Sequence, residues 1–220
     1  MVNRKFSLRA TTVSLIALST LTGCVSTGSL FGRHDSSSPQ ASYEETLRVA
    51  ASAREAGDLP ASAEMYNRAA SFATSDVGPL IQLADVYWQM KNPSKSAEAL
   101  EKARGIDANN TLVLRNLGRA YVAQGEAKKA QDVYLAALAI DSSDARILNG
   151  LGIAYDLDGD HATAQSHFRA GVTLAPNDLD LRNNLAYSLI STHDYDKAIA
   201  LLEPVYLAGQ GGARLRDHPE

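Results

Sequence analysis

The 220-residue sequence contains one cysteine, one tryptophan and no surplus of basic residues. A single cysteine excludes an internal disulfide framework and any zinc or iron–sulfur site built from several cysteines. Lysine and arginine number 21 against 25 acidic residues, a net charge of −4, whereas nucleic-acid-binding proteins usually carry a basic excess. A mean hydropathy of −0.18 fits neither a polytopic membrane protein nor a disordered acidic chain. The composition therefore predicts a folded protein without a nucleic-acid partner.

Residues 1–23 have the layout of a secretory signal. Arg4, Lys5 and Arg9 form a basic start and are followed by the uncharged, mostly apolar segment 11–22. This segment is too short for a membrane-spanning helix, which needs about 20 apolar residues. We therefore predict that residues 1–23 direct export and are removed.

The residues around the single cysteine, Leu21-Thr22-Gly23-Cys24, resemble the bacterial lipobox. The resemblance implies cleavage between Gly23 and Cys24, a diacylglyceryl group on the Cys24 thiol and acylation of the new amine. Val25 follows; in proteobacterial lipoproteins a residue other than aspartate here permits transfer to the outer membrane. The alternative is a chance cysteine after an ordinary signal. Residues 24–42, with six serines, predict a flexible tether.

The rest of the chain repeats with a period of 34 residues. Gly57-Asp58, Lys91-Asn92, Gly125-Glu126, Gly159-Asp160 and His193-Asp194 are evenly spaced in this way. The spacing defines five repeats, numbered one to five, at 43–76, 77–110, 111–144, 145–178 and 179–212.

Repeats three and four show the pattern most clearly. Their shared positions carry Leu114, Leu117, Gly118, Tyr121, Ala130, Tyr134 and Ala137, then Leu148, Leu151, Gly152, Tyr155, Ala164, Phe168, Gly171 and Pro176. These residues resemble the tetratricopeptide repeat (TPR) at its signature positions. The resemblance implies an all-α solenoid of about five helix–turn–helix repeats that acts by binding proteins.

The physical pattern agrees with that fold. The first four of these residues in repeat three fall at i, i+3, i+4 and i+7, which places them on one helix face. Small residues such as Gly118 and Ala130 permit two antiparallel helices to approach closely. We expect bulky residues at Gly118 or Gly152 to destabilise the stack by overpacking.

The C-terminal part of the sequence contains two irregular features. Pro204 falls inside the second helix of repeat five, so we expect this helix to bend or end near Glu203. After Gly209–Gly212, residues 213–216 look like the start of another first helix, and the tail 213–220 is interpreted as a possible remnant of a sixth repeat. The array is then expected to end in an uncapped apolar face, explained by an oligomer, a partner helix or a shortened array.

Signals for catalysis are missing from the sequence. The five histidines form no metal-binding helix motif, and the run from Asp156 to Asp160 lacks the glycine and glutamate positions of a calcium loop. Gly150 and Gly152 lie within a repeat helix and not after a strand. We therefore predict no enzyme activity, catalytic residue, metal or cofactor.

The remaining candidate site is a surface. In TPR proteins the first helix of each repeat lines a concave groove, and polar residues hold the corresponding positions here. The candidate protein-binding residues are Gln82, Asp85, Trp88, Arg115, Asn116, Arg119, Arg146, Asn149, Asp156, Asn183, Asn184 and Tyr187. Arg115 and Arg119 are i,i+4 neighbours, so their guanidinium groups are expected to be able to face one ligand. The alternative is an ordinary solvated helix face.

The order of signal, lipobox, tether and short repeat array resembles the TadD lipoproteins of the tight-adherence (Tad/Flp) pilus system. The similarity includes residues 180–185 and 198–204. It implies a lipid-anchored protein on the periplasmic face of the outer membrane that helps to assemble the pilus or its secretin. Two alternatives stay open: another outer-membrane TPR lipoprotein (a type IV pilus pilotin or a barrel-assembly accessory), and a periplasmic adaptor for cell-wall enzymes.

Overall fold

The computed structural model describes residues 39–216, which form ten α-helices and no strand. The helices alternate as first and second members of five antiparallel hairpins. The first helices are α1 (Pro39–Glu55), α3 (Gly78–Gln89), α5 (Thr111–Ala123), α7 (Ala145–Leu157) and α9 (Leu179–Ser191). The second helices are α2 (Leu59–Phe72), α4 (Pro93–Ile106), α6 (Ala127–Ile140), α8 (His161–Leu174) and α10 (Tyr195–Arg216). The predicted all-α solenoid is confirmed.

Each hairpin turn is built from a residue with positive φ followed by a helix N-cap. Gly57, Gly125 and Gly159 have φ of 81°, 76° and 84°, a region that glycine adopts without steric cost. The side chains of the next residues, Asp58 and Asp160, accept hydrogen bonds from backbone N–H groups in the first turn of α2 and α8. These bonds satisfy orphan donors at the helix start, so the turn both ends one helix and begins the next.

Two of the five turns use a side chain where glycine would be easier. Lys91 and His193 have φ of 58° and 62°, which costs an L-residue about 1 kcal/mol or more. Asn92 still caps α4 by accepting from the Lys95 N–H. The turn geometry is therefore imposed by the packing of the two helices it joins, even where the sequence does not favour it.

Small residues on one helix face aromatic side chains on another. The Cα of Gly152 in α7 lies against the ring of Phe168 in α8, and Gly118 in α5 lies against the ring of Tyr134 in α6. Gly150 in α7 touches the same tyrosine from the following repeat. Glycine is required at these places because a Cβ atom would lie less than 3 Å from the ring. The helices can therefore pack closely at these contacts.

Two clusters of buried side chains form the core of the array. The larger extends from Ala50 to Ala154 through repeats one to four, and the smaller extends from Ala164 to Ala198. Tyr155 packs against both clusters. Each helix packs mainly on the helices before and after it in sequence, as expected of a solenoid in which each repeat covers the apolar side of its neighbour.

Helix boundaries differ from the predicted ones at both ends of the described chain. At the start, α1 begins at Pro39, so residues 39–42 of the predicted tether are helical. Proline fits there because the first helical N–H has no intrahelical acceptor. The earlier part of the predicted tether lies outside the described residues.

At the other end, α10 runs through Pro204 and the following glycines to Arg216. The helix was predicted to bend or end near Glu203; it does not end there, and residues 213–216 extend α10 and do not begin a new helix. Pro204 and Ala200 are both exposed, so water can hydrate the Ala200 carbonyl that proline leaves without a donor. The proline therefore leaves no buried carbonyl unpaired.

Candidate functional site

The first helices of the array lie side by side and form its inner surface. Within residues 39–216, α5 packs on α7 and α7 on α9 more extensively than any two successive second helices do. The first helices of repeats three to five therefore contact one another directly. We use "groove" for this surface, formed by the exposed and half-buried side chains of α1, α3, α5, α7 and α9.

One group in the groove joins the first three repeats. The Arg119 guanidinium stacks 4.2 Å from the centre of the Trp88 ring, and its Nη2 lies 3.9 Å from Oδ1 of Asp85. Arg54, on α1, donates a 2.6 Å hydrogen bond to Gln82. Partial burial raises the pKa of Asp85, while the positive charges of Arg119 and Arg54 oppose this shift. Asp85 therefore faces the Arg119 guanidinium at more than hydrogen-bond distance, and burial keeps its pKa above the usual value.

A second group lies at the junction of repeats three and four. Asp144 caps α7 by accepting from the Arg146 backbone N–H at 2.9 Å. Its carboxylate also accepts from the side chains of Arg115 at 2.9 Å and Arg146 at 2.9 and 3.0 Å. Partial burial alone would raise the pKa of Asp144, but the hydrogen bonds from Arg146 and Arg115 outweigh it and lower the pKa to about 2.

The two arginines of α5 therefore contact different partners. Arg115 reaches forward to the N-cap of α7, whereas Arg119 reaches back to α3. The expected convergence of both guanidinium groups on one ligand is not observed. The side chain of Arg115 is only 21% exposed, compared with 46% for Arg119 and 68% for Arg146. Arg119 and Arg146 are the arginines of these two groups that solvent and a ligand can reach most readily.

The remaining candidate residues divide into paired and exposed side chains. Asn184 donates a 2.8 Å hydrogen bond to Asn149, which ties α9 to α7. Asp156 accepts at 2.8 Å from the Ser188 hydroxyl and lies 2.8 Å from Nδ1 of His161. A further set is partly or fully exposed: Asn116, Asn183 and Tyr187, the last at 76%.

Arg54 and Asp144 were not among the groove residues predicted from the sequence. Arg54 occupies the same repeat position as Trp88, which was a usable signal. Asp144 is the last residue of repeat three and was overlooked because it precedes the first helix that it caps. Arg54 belongs to the groove, and Asp144 lies at its edge, where it contacts Arg115 of the groove.

Several predictions concern residues or properties outside these contacts. Gly23 and Cys24 lie outside the described residues. Across residues 39–216, histidine, aspartate and glutamate side chains form no cluster of three suited to a metal ion. In the same part of the chain, each helix is too short or too polar to cross a membrane.

An exposed apolar cleft lies at the last repeat. Ile190, Tyr195, Ile199 and Leu202 line a cleft of about 500 Å³ together with Ala198 and Glu203. The exposure of this repeat position differs strongly between the last repeat and the two before it. Ile199 is 63% exposed, whereas the equivalent glutamines of α6 and α8 are less than 9% exposed. Those glutamines, Gln131 and Gln165, donate to backbone carbonyls of the next first helix. No described helix follows α10 to cover Ile199.

Profiles of known protein families match most of the repeat array. Three family profiles match, described as tetratricopeptide repeat at residues 78–110 and 157–217 and as TPR repeat at residues 118–159. No curated protein matches the chain in sequence.

Solved structures support the same fold. A MamA protein superposes with a TM-score of 0.72 and 18% identity over 82% of this chain and 99% of its own. MamA from Desulfovibrio magneticus has a TM-score of 0.71 and 18% identity, over 77% of this chain and 96% of its own. PilF from Pseudomonas aeruginosa has a TM-score of 0.63 and 19% identity, over 75% of each chain. At these identities the likeness shows the fold alone. Together with the family matches, it identifies the chain as a tetratricopeptide-repeat protein, a fold that is typically non-enzymatic and serves as a scaffold for protein–protein interactions.

Proposed function

We propose that this TPR protein is a lipid-anchored scaffold on the periplasmic face of the bacterial outer membrane and that it assists assembly of a tight-adherence (Tad/Flp) pilus. The observation that carries the proposal is the position of the only cysteine, Cys24, directly after an export signal and a lipobox-like run. A TPR array tethered to such a cysteine resembles the TadD lipoproteins. The resemblance supports a role in positioning pilus or secretin components.

Acyl chains on Cys24 would hold the protein at the membrane. Each buried methylene contributes about 0.8 kcal/mol, so two or more chains give stable anchoring. The tether then lets the repeats reach partners in the periplasm. The groove is the proposed contact surface because its exposed side chains, among them Arg146 and Tyr187, are not needed to close the core.

The anchor is tested by two substitutions at neighbouring positions. Cys24→Ser is expected to abolish acylation, seen as a mass without lipid and as loss from the membrane fraction. Val25→Asp is the matched variant: it should keep the lipid but retain the protein at the inner membrane. Unchanged mass and fractionation of Cys24→Ser would exclude the lipid anchor.

The pilus role is tested by deleting the gene in its natural host. Surface pili, imaged by electron microscopy, and secretin multimers, resolved on semi-denaturing gels, should both decrease. The wild-type chain should restore them, whereas Cys24→Ser should not. Normal pili and normal multimers in the deletion strain would exclude the pilus role and leave the TPR scaffold without an assigned system.

A further inference from the structure

The apolar cleft at the last repeat continues an interface that the protein forms four times. In repeats one to four, the second helix packs on the first helix of the next repeat: α2 on α3, α4 on α5, α6 on α7 and α8 on α9. The cleft lies on the corresponding side of α10, which no helix of the described chain covers. Ile199 and Tyr195 are 63% and 52% exposed there. The four covered second helices therefore show what kind of element would cover α10.

The helix α10 matches α4 more closely than it matches the other second helices. At two neighbouring positions of the repeat, α10 has Leu202 and Glu203, and α4 has Leu100 and Glu101. The helices α2, α6 and α8 have an aromatic residue at the first of these positions and no glutamate at the second. Leu100 is 1% exposed, whereas Leu202 is only partly buried and lines the cleft. A helix that covers α10 is therefore expected to resemble α5, the helix that covers α4.

The pairing of Glu101 shows what Glu203 requires. Glu101 accepts a hydrogen bond from the Tyr121 hydroxyl on α5 and pairs with Arg104 on its own helix. Glu203 is exposed and lines the cleft, and it makes no hydrogen bond or ion pair with another described residue. Tyr121 is the eleventh residue of its repeat. A covering helix can supply the missing partner of Glu203 with a tyrosine, lysine or arginine at that position.

Two further contacts define the inner side of a covering helix. The third residue of the repeat packs on the preceding second helix, since the Leu181 side chain lies against Gly171 of α8. The tenth residue faces the same helix, since the backbone carbonyl of Ser188 accepts a hydrogen bond from α8. In α5 these positions hold Val113 and Ala120, both 0% exposed. The covering helix therefore needs an apolar residue and, seven positions later, a small one.

We infer that the cleft binds an amphipathic α-helix of a partner protein, which packs on α10 as α5 packs on α4. The pattern of this helix is an apolar residue, a small residue seven positions later, and a hydrogen-bond donor for Glu203 at the next position. Tyr195 and Ile199 supply the apolar surface on the other side of the contact. The cleft is thus a second contact surface of the proposed scaffold, at the end of the groove, and does not depend on the pilus role.

The helix α1 of a second copy fits the cleft poorly. The third residue of its repeat is Glu45, at the position where Val113 of α5 is fully buried. Glu45 also pairs with Arg48 on α1. The eleventh residue is Ala53, which has no side-chain donor for Glu203. Head-to-tail association of identical chains is therefore disfavoured, because it would bury the charge of Glu45 and leave Glu203 unpaired.

The test measures binding of defined peptides to the purified full chain by fluorescence anisotropy. The probe is a labelled peptide with the sequence of residues 110–124, which comprise α5 and its two cap residues. Circular dichroism should show a gain of helix in the mixture, because a free peptide of this length is only marginally helical in water. A Tyr121→Phe version of the peptide should bind about two- to ten-fold more weakly. The matched peptide of residues 42–56, from α1, should not bind.

Three variants of the full chain locate the binding site. Ile199→Asp should weaken binding of the 110–124 peptide by at least about ten-fold, because it places a charge in the contact. Val49→Asp is the matched control, since Val49 is 42% exposed at the opposite end of the array, and it should leave binding unchanged. Both positions are exposed, so both variants are expected to stay folded. Glu203→Ala should weaken binding about two- to ten-fold, with no further loss for the Tyr121→Phe peptide, because both changes remove one hydrogen bond.

Four results would overturn the inference. They are no binding of the 110–124 peptide at protein concentrations up to about 1 mM, equal binding of the two matched peptides, equal losses in Ile199→Asp and Val49→Asp, and additive losses from Glu203→Ala and the Tyr121→Phe peptide. Sedimentation of the chain alone provides a fifth, because dimers that dissociate in Ile199→Asp would show that a second copy covers the cleft. None of these measurements involves lipid or pili, so the proposed function is tested separately.

Discussion

Replacing Gly152 with alanine tests how closely the helices of repeat four must pack. A Cβ atom on Gly152 would lie 2.5 Å from Cε1 and 2.7 Å from Cδ1 of Phe168. Carbon atoms in contact normally lie about 3.5–4.0 Å apart, so the ring or the helix must move by about 1 Å. Phe168 is 1% exposed and lies in the smaller core cluster. The ring is therefore enclosed by other core side chains.

The expected change in stability combines two effects of opposite sign. Overpacking a filled core costs about 1–3 kcal/mol, while alanine stabilises a helix interior by about 1 kcal/mol relative to glycine. Gly105→Ala in α4 is the matched control, because a Cβ there meets no atom within 4 Å. The control should gain up to about 1 kcal/mol, so the two variants should differ by about 1–3 kcal/mol in their free energy of unfolding.

Urea denaturation followed by far-UV circular dichroism measures that difference, and a double-mutant cycle locates its cause. Phe168→Leu replaces the aromatic ring with a smaller side chain. Leucine is also the residue at the equivalent position of repeat two, Leu100. In this background Gly152→Ala should cost less than in the wild type. Equal stabilisation by both glycine-to-alanine changes, or an additive cycle, would refute the packing argument.

Three further substitutions test the turns, the aspartate cluster and the apolar cleft. Lys91→Gly should stabilise the chain by about 0.5–1 kcal/mol, because glycine adopts the positive φ of this turn without strain. Asp144→Asn should cost about 1–2 kcal/mol at neutral pH while keeping the helix cap, because the folded pKa of Asp144 lies at about 2, below its usual 3.8. Ile199→Gln should lower the fluorescence of a hydrophobic dye and change the free energy of unfolding by less than about 0.5 kcal/mol.

Each of these predictions has a control or a contrary result. Gly125→Ala, at a φ of 76°, should lose stability where Lys91→Gly gains it. The stabilisation from Asp144 is present above about pH 4 and is lost as the pH falls toward about 2. Asp144→Asn should therefore flatten the dependence of the free energy of unfolding on pH in this range. Parallel pH profiles of the variant and the wild type would contradict this. Ile106→Gln at the end of α4 should leave dye fluorescence unchanged. A similar decrease in both isoleucine variants would show that the dye does not report the cleft.

Much of the architecture followed from periodicity. The 34-residue spacing, the small residues facing large ones and the aspartates after turn glycines are local patterns, and they predicted hairpins that the structure contains. The end of α10 was mispredicted because a proline inside a helix can be accommodated without ending it. Pro204 lies on an exposed face, where water replaces the missing donor.

The sequence alone assigned most of the candidate residues to the first-helix surface, because helical spacing assigns a face to each position, although it missed Arg54 and Asp144. It did not determine which partner each side chain takes. Arg115 and Arg119 share one face of α5, yet Arg115 binds the aspartate before α7 and Arg119 binds α3. That division depends on the distance to the repeat on either side. Only the stacking of repeats sets these distances.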